Sequence, residues 1–315
     1  IQHHRYTCKY YSASIPKEEK EPKPRKVYVH SLQFSRDGRR AIFQAHAHDY
    51  KDRWIASVDL NTHTITPLFR ETNAAWVLEG QRLGFLGEGE HAYFVSEATG
   101  YCQLYVIDPE GGEARQSTSG AQVVSSIVPT RDGRYVYFLS NPRHPGVYEV
   151  FRARVEDGEV EQITSMGGRE KELLGGVRSF QLSPDERRIL IGFSTTTRPS
   201  ELYVQRAQPG AEARRITHTV SAEFEGIEWS KPEIVEIRST HVDRPIYSRY
   251  YAPSGTERPG KSPAVVFVHG AGYLQDAHAG WSSYFREFMF HTLLTQRGVA
   301  VLDMDYRGSA GYGAD

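Results

Sequence analysis

The chain has 315 residues, 39% of them apolar and 24% charged, and its 38 basic and 39 acidic residues almost cancel. This balance argues against a nucleic acid or an anionic membrane as partner, and no apolar run approaches the ~18 residues that a membrane-spanning helix needs. At ~100–200 residues per domain, the length predicts about two domains. The two cysteines, Cys8 and Cys102, lie far apart and indicate free thiols in strands.

Residues 1–26 are predicted to be a connector. They lack an initiator Met and the apolar segment of a signal peptide. Their KEEKEPKPRK portion is a solvated Pro/Lys/Glu stretch that leads into a first apolar strand, Val27–Phe34. We therefore expect the chain to be a piece of a longer protein, and its localisation stays open.

A four-strand pattern recurs between residues 30 and 220. In each unit a strand passes through a tight polar turn into a second strand with alternating aromatic residues. A third strand and a polar hairpin into a fourth strand follow. The turns recur about every 44–53 positions, which is the period of a β-propeller blade; they are Asp37-Gly38, Glu88-Gly89, Asp132-Gly133 and Asp185-Glu186.

This repeat predicts a partial β-propeller of about four blades over residues 27–220. A β-sandwich would also contain many short strands, but it would not repeat a four-strand unit in this order. Because four blades rarely close a ring, we expect further blades upstream of residue 1.

The pattern changes after about residue 221. Two strands are predicted in PEIVEIRS and RPIYSRYYAPSG, and a continuous β-branched run, SPAVVFVHG, follows. An amphipathic helix over about Ser283–Arg297, ended by Gly298, then precedes the apolar run VAVLDMDYRG. Such runs are typical of strands buried on both faces of a sheet. The order strand, helix, strand predicts a βαβ unit, and hence the start of an α/β domain over residues 221–315.

The segment His269-Gly270-Ala271-Gly272 ends the first of these buried strands. Small residues there would let the backbone approach a substrate carbonyl, so that a nearby N–H group or side chain could stabilise an oxyanion. One such donor is worth ~3 kcal/mol in a transition state. A plain strand-to-helix turn, in which glycine only permits the bend, is an equally good interpretation of this short motif.

Four motifs in this order together resemble the prolyl oligopeptidase family of serine peptidases, in its dipeptidyl-peptidase IV-like branch. They are FVSEATGYCQLYVID, KPEIVEIRS with YYAPSG, HGAGYLQDAH and DYRGSAGYG. The resemblance implies a β-propeller stacked over an α/β-hydrolase domain that cleaves short peptides with a Ser-Asp-His triad. It implies a peptide substrate, no metal or organic cofactor, and a homo-oligomer of the full-length protein.

Few of the catalytic residues that the resemblance implies have a counterpart in this chain. Many relatives place an oxyanion-hole tyrosine where this sequence has His269, so the candidates are His269, the backbone at Gly270, and Tyr273. No G-x-S-x-G pentapeptide is present. We interpret Ser309, in Gly308-Ser309-Ala310-Gly311, as a loop residue, since the spacer is missing and the preceding strand comes too early in the sheet. The triad is expected downstream of Asp315, and the chain alone is expected to be inactive.

Arg307 and Trp76 each admit two interpretations. Arg307 is a candidate substrate-binding residue, which either braces the active-site wall by ion pairing or holds the glycine-rich turn in shape. Trp76 either contacts substrate or, by default, packs in the core. Glu97 is predicted to be a turn residue, because the acidic residues that bind a free α-amino group in this branch would lie upstream of residue 1.

The HAHDY segment (residues 46–50) suggests a metal site but supplies no third ligand, so we predict exposed histidines in an inter-blade loop. Two alternatives to a dipeptidyl peptidase stay open. One is an acylaminoacyl-peptidase or esterase on the same fold. The other is a non-catalytic propeller that serves as a scaffold for protein partners.

Overall fold

The structure, a computed structural model, describes residues 25–78, 82–168, 172–241, 243–254, 262–270 and 273–314. Cys8 and nearly all of the predicted connector lie outside this part of the chain. Cys102 is free and partly buried, directly before a strand. No helix among the described residues is long and apolar enough to cross a membrane.

Four antiparallel sheets, each of four consecutive strands, follow one another along the chain and confirm the predicted blades. The first contains β1 (Val27–Phe34), β2 (Arg40–Ala47), β3 (Asp52–Asp59) and β4 (Ile65–Thr72). The second contains β5 (Leu83–Leu86), β6 (His91–Ser96), β7 (Gln103–Ile107) and β8 (Arg115–Gln116). The third contains β9 (Val124–Pro129), β10 (Tyr135–Ser140), β11 (Glu149–Arg154) and β12 (Val160–Gln162). The fourth contains β13 (Gly176–Leu182), β14 (Arg188–Thr195), β15 (Arg198–Arg206) and β16 (Arg214–Arg215).

The turn between the first two strands of a blade has a repeated hydrogen-bonding pattern. In the first blade the Ser35 hydroxyl donates to the Asp37 carboxylate at 2.7 Å and accepts the Arg40 N–H at 2.9 Å. Gly38 adopts a φ of 69°, a left-handed conformation that glycine adopts at low cost. The third and fourth blades repeat this pattern with Thr130 and Ser183, so a local sequence signal produces each turn.

Apolar side chains pack between neighbouring blades. The cluster between the first and second blades joins Ile42 and Ile55 to Phe94 and Tyr105, and the rings of Phe94 and Tyr105 are stacked at 5.2 Å. Similar clusters join the second blade to the third and the third to the fourth. The period-2 aromatic pattern therefore forms the blade-to-blade core.

After a one-turn helix, α1 (Ala222–Glu225), the chain forms a mixed sheet of order β17-β18-β20-β19. Its elements are β17 (Glu233–Ile237), β18 (Ile246–Tyr251), β19 (Ala264–Val268), α2 (Phe285–Gln296) and β20 (Ala300–Met304). Strands β19 and β20 are parallel and are joined through α2, which confirms the predicted βαβ unit. Gly298, with a φ of 81°, follows the end of α2 as expected.

Two details of this unit differ from the sequence prediction. Strand β19 is not buried on both faces, because it lies at the edge of the sheet and Val266 is 59% exposed. Helix α2 is not clearly amphipathic: Thr292 and Thr295 are buried, whereas Phe290 is exposed. An apolar run predicts a strand, but whether its side chains are covered depends on neighbouring elements.

Candidate functional site

A cavity of about 650 Å³ lies between the blades and the mixed sheet. The blades contribute the segment after β4, the end of β6 with the turn that follows, and the start of β9. The mixed sheet contributes the loops that follow β19 and β20. Because these two strands are parallel, their carboxyl ends meet at one edge, which is where α/β sheets commonly bind ligands.

The loop that follows β20 is held against the blades by hydrogen bonds. The Asn141 side chain, next to the end of β10, donates to the Gly311 carbonyl at 3.1 Å. The Ala314 N–H donates to the Gly100 carbonyl, in the turn after β6, at 2.8 Å. The wall of the cavity on the mixed-sheet side is therefore positioned by the second and third blades.

Three residues singled out in the sequence, Trp76, Tyr273 and Arg307, come together in the lining of this cavity. Trp76 is 57% exposed and Tyr273 52% exposed, so core packing is the wrong interpretation of Trp76. Tyr273 has a φ of 22°, which is rare for a residue with a side chain. These three side chains form an exposed rim that draws on both parts of the chain.

Nothing in the described part of the chain supports either of the two bracing roles considered for Arg307. Its side chain is exposed, and within the described part of the chain no ion pair or hydrogen bond involves its guanidinium group. The glycine-rich loop is held instead by Ser309, whose N–H donates to the Tyr306 carbonyl and whose hydroxyl accepts the Tyr306 N–H, both at 3.0 Å. The Arg307 cation is thus available to a ligand.

His269 is turned away from the cavity. Its side chain is fully buried, with Nε2 at 3.1 Å from the Ser309 hydroxyl and at 3.4 Å from an Asp305 carboxylate oxygen. Nδ1 lies 2.9 Å from the Gly270 carbonyl, and the ring packs on Tyr306. Neither His269 nor Gly270 belongs to the described cavity lining, and Ala271 and Gly272 lie outside the described residues.

The Ser309, His269 and Asp305 side chains do not have the geometry of a catalytic triad. In a triad the serine and the aspartate contact opposite nitrogens of the imidazole ring. Here both contact Nε2. Ser309 is also only 2% exposed, which agrees with its interpretation as a loop residue.

Three buried carboxyl groups, those of Asp276, Asp303 and Asp305, lie behind this wall of the cavity. The sequence did not single them out. Asp305 accepts the N–H groups of Asp276 at 2.7 Å and Ala277 at 3.2 Å, and the Tyr312 hydroxyl at 2.8 Å. Burial raises the pKa of all three, and burial together with the neighbouring Asp276 raises the pKa of Asp303 to about 8. These groups tie the segment after β19 to the loop after β20, and none of them lines the cavity.

The backbone of Glu97 lies in a turn, whereas its side chain lies in the cavity. Its carbonyl accepts the Gly100 N–H at 2.8 Å, so its backbone forms the predicted turn. Its side chain, however, lines the cavity. Burial, and then the negative charge of Glu71, raise the pKa of the Glu97 carboxyl to about 7. The only signal in the sequence was an acidic residue directly after a buried strand.

The histidines of the first blade do not lie in an exposed inter-blade loop. His46 is fully buried in β2, and its Nδ1 lies 2.7 Å from Nε2 of His30. His48 lies just beyond the strand and is exposed. In the ranges described, no three His, Cys, Asp or Glu side chains are grouped as metal ligands would be.

The chain is similar to known proteins both in sequence and in fold. Residues 9–200 match a family model described as the dipeptidyl peptidase IV (DPP IV) N-terminal region. The crystal structure of Porphyromonas gingivalis dipeptidyl peptidase 4 superposes on 96% of this chain and 40% of its own, with a TM-score of 0.75 and 16% identity. At that identity the likeness concerns the fold.

Two curated proteins are similar in sequence. The uncharacterized peptidase YuxL of Bacillus subtilis is 29% identical over 139 residues, which is 44% of this chain and 20% of that protein. The acylamino-acid-releasing enzyme of Mus musculus is 25% identical over 223 residues, which is 67% of this chain and 28% of the enzyme. The matched part of the chain thus spans between 20% and 28% of the length of these relatives.

Proposed function

Because the chain belongs to the dipeptidyl-peptidase IV-like branch of the prolyl oligopeptidase (S9) family, we propose that it is part of a serine-type peptidase that cleaves short peptides. One observation carries the proposal: the cavity between the blades and the carboxyl ends of β19 and β20. Side chains from both parts of the chain line it. Peptide binding there would place the scissile bond beside the loops that follow the two parallel strands.

The domain division is part of the proposal. Residues 27–220 would form blades of the propeller, and residues 221–315 would begin the α/β-hydrolase domain. The exposed apolar side chains of β19 and α2, such as Val266 and Phe290, support this division. An uncovered apolar face of this kind marks a surface on which further elements pack.

The chemistry would follow the serine triad. A serine hydroxyl would attack the scissile carbonyl, a histidine would take its proton as general base, and an aspartate would orient the histidine. The chain contains no G-x-S-x-G pentapeptide. We therefore assign all three groups to other parts of the whole protein and expect the 315 residues alone to be inactive.

Among the oxyanion candidates we favour the Tyr273 hydroxyl. It lies in the cavity lining and is half exposed. The His269 ring is buried and engaged by Ser309 and Asp305, so it supports the loop rather than a substrate carbonyl. A hydroxyl donor aimed at a developing oxyanion lowers the barrier of acyl transfer.

The test is hydrolysis by the whole protein and by the 315-residue chain, each purified free of host peptidases. We expect the whole protein to cleave dipeptidyl-nitroanilides, such as Xaa-Pro and Xaa-Ala derivatives, and to lose activity to a fluorophosphonate, whose phosphorus the serine oxygen attacks with loss of fluoride. The 315-residue chain should show no hydrolysis. Fluorophosphonate-resistant activity of the whole protein, or turnover by the chain alone, would contradict the proposal.

A second candidate is supported by the similarity to the acylamino-acid-releasing enzyme, which extends over two thirds of this chain. The same substrate panel separates the two activities. Preference for acetyl-amino-acid nitroanilides would indicate an acylaminoacyl-peptidase, and preference for substrates with a free N-terminus a dipeptidyl peptidase. A whole protein that cleaves neither, and does not react with the fluorophosphonate, would be a non-catalytic scaffold.

A further inference from the structure

The cavity has an apolar floor and a solvent-exposed rim. Val95, Val124 and Ile127 are buried residues of the second and third blades and form the floor. Trp76 and Tyr273 are more than half exposed and belong to the rim. A ligand that passes this rim therefore meets mainly hydrocarbon.

Glu97 is the acidic group on the floor side. It follows β6 directly, two residues after the buried Val95. Burial, and then the charge of the Glu97 carboxyl, raise the pKa of the Cys102 thiol. No hydrogen bond among the described residues reaches the carboxyl oxygens of Glu97, although its own N–H donates to Glu71 at 3.0 Å. A carboxylate in such surroundings is costly unless a cation accompanies it.

Arg53, the cation whose charge acts on the Glu97 carboxyl, is already neutralised. Arg53 is fully buried and donates to the Glu71 carboxylate, to the Gln44 side chain at 3.1 Å and to the Val95 carbonyl at 2.7 Å. Glu71 is thus the ion-pair partner of Arg53. One negative charge is left over when Glu97 ionises.

We propose that Glu97 binds the cationic head of a basic side chain, lysine or arginine, of a peptide in this cavity. The apolar walls would cover the methylene stem while the carboxylate pairs with the ammonium or guanidinium group. A free α-amino group has no stem and would make no use of these walls. The inference rests on the proposed function, because it assigns a side-chain preference to the same cavity.

The other charged lining groups are compatible with this ligand. Arg82 and Arg307 are both exposed, and neither forms an ion pair within the described part of the chain. Placed toward the rim, they would face the carbonyl groups of the bound peptide rather than its basic side chain. The charge pattern therefore orients the peptide with its basic side chain inward.

The experiment measures binding to the whole protein by calorimetry, using peptides blocked at both ends. The probes are acetyl-alanyl-lysinamide, acetyl-alanyl-argininamide and the uncharged acetyl-alanyl-norleucinamide. We expect both basic probes to bind at least about tenfold more tightly than the norleucine probe. In Glu97→Gln this preference should disappear, and Glu97→Asp should retain part of it. Glu156→Gln, an exposed hairpin substitution, should retain all of it.

The pH dependence provides a second measurement that needs no variant. Glu97 must ionise to bind a cation, and its pKa is about 7. The lysine amine, with a pKa of ~10.4, stays charged. The preference for lysine over norleucine should therefore grow between pH 6 and 8 and then level off. The groups near Glu97 are Glu71, Arg53, Cys102 and Tyr273, with Arg82 and Arg307 in the same lining.

Three results would overturn the inference: equal affinity for the lysine and norleucine probes, a lysine preference that persists in Glu97→Gln, or a gain in affinity on unblocking the N-terminus of the norleucine probe that Glu97→Gln abolishes. Nitroanilide hydrolysis is a separate readout. An active peptidase without the lysine preference would contradict only this inference, whereas lysine binding without hydrolysis would contradict only the proposed function.

Discussion

The repeated turns of the blades and the mixed sheet place their carboxyl groups in different surroundings. In the blades the carboxylates of the repeated turns lie near the surface and accept hydrogen bonds from their own turn, as Asp37 does. In the mixed sheet, Asp276, Asp303 and Asp305 are buried side by side, while Val266 and Phe290 are exposed. Local patterns thus complete the blades, whereas the mixed sheet depends on contacts between distant segments.

The largest effect is expected from Arg53 and Glu71, an ion pair of the blades in which both side chains are buried. Arg53→Ala removes the cation from Glu71 and leaves an uncompensated buried carboxylate. We expect a loss of about 3–5 kcal/mol in the free energy of unfolding, measured by chemical denaturation. Arg36→Ala breaks an exposed ion pair with Glu88 and should cost under ~1 kcal/mol. Equal losses in the two variants would show that the blades do not rely on this pair.

The buried carboxyl groups of the mixed sheet predict a pH effect of intermediate size. The pKa of Asp303 is raised to about 8 in the folded state, so the folded protein binds a proton that the unfolded chain releases near pH 4. This contribution to stability is complete below pH 4 and is lost as the pH rises to about 8.

Asp303→Asn removes this proton linkage. We expect the variant to gain about 1–2 kcal/mol in unfolding free energy relative to the parent between pH 5 and pH 9. Chemical denaturation at several pH values measures this difference in unfolding free energy. Asp157→Asn, in an exposed hairpin, should follow the parent over the same range. A parent whose stability does not fall toward pH 9 would contradict the buried-carboxyl account.

The smallest effect is expected for the repeated turns. Ser183→Ala removes a hydroxyl that donates to Asp185 at 2.6 Å and accepts the Arg188 N–H at 3.0 Å. The expected loss is about 0.5–1.5 kcal/mol, measured by thermal unfolding against exposed Ser119→Ala as control. A loss of several kcal/mol would mean that the turn supports more than its own blade.

The same contrast explains what the sequence could predict. The strands, the turns at Asp37-Gly38 and Asp132-Gly133, and the βαβ order depend on neighbours within a few residues, and the structure confirms them. The exposure of β19 could not be predicted in this way, because a β-branched run has the same sequence pattern at the edge and in the middle of a sheet.

The candidate site was predicted only in part. Trp76, Tyr273 and Arg307 were singled out and do line one cavity. The side chain of Glu97 was missed, because its turn position is readable from sequence but the direction of its carboxyl depends on the packing of the second blade against the mixed sheet. His269 was expected near the oxyanion and instead lies behind the wall, where Asp305 and Ser309 engage it.

The central claim is that this cavity binds the peptide, and filling it is the most direct test. Ala75 lines the cavity and is exposed, whereas the adjacent Ala74 is exposed but lies outside the lining. In the whole protein we expect Ala75→Trp to lower kcat/KM for its best nitroanilide substrate at least about tenfold, while Ala74→Trp stays within twofold of the parent. If Ala75→Trp keeps full activity, or if the two variants lose it equally, the cavity is not the peptide site.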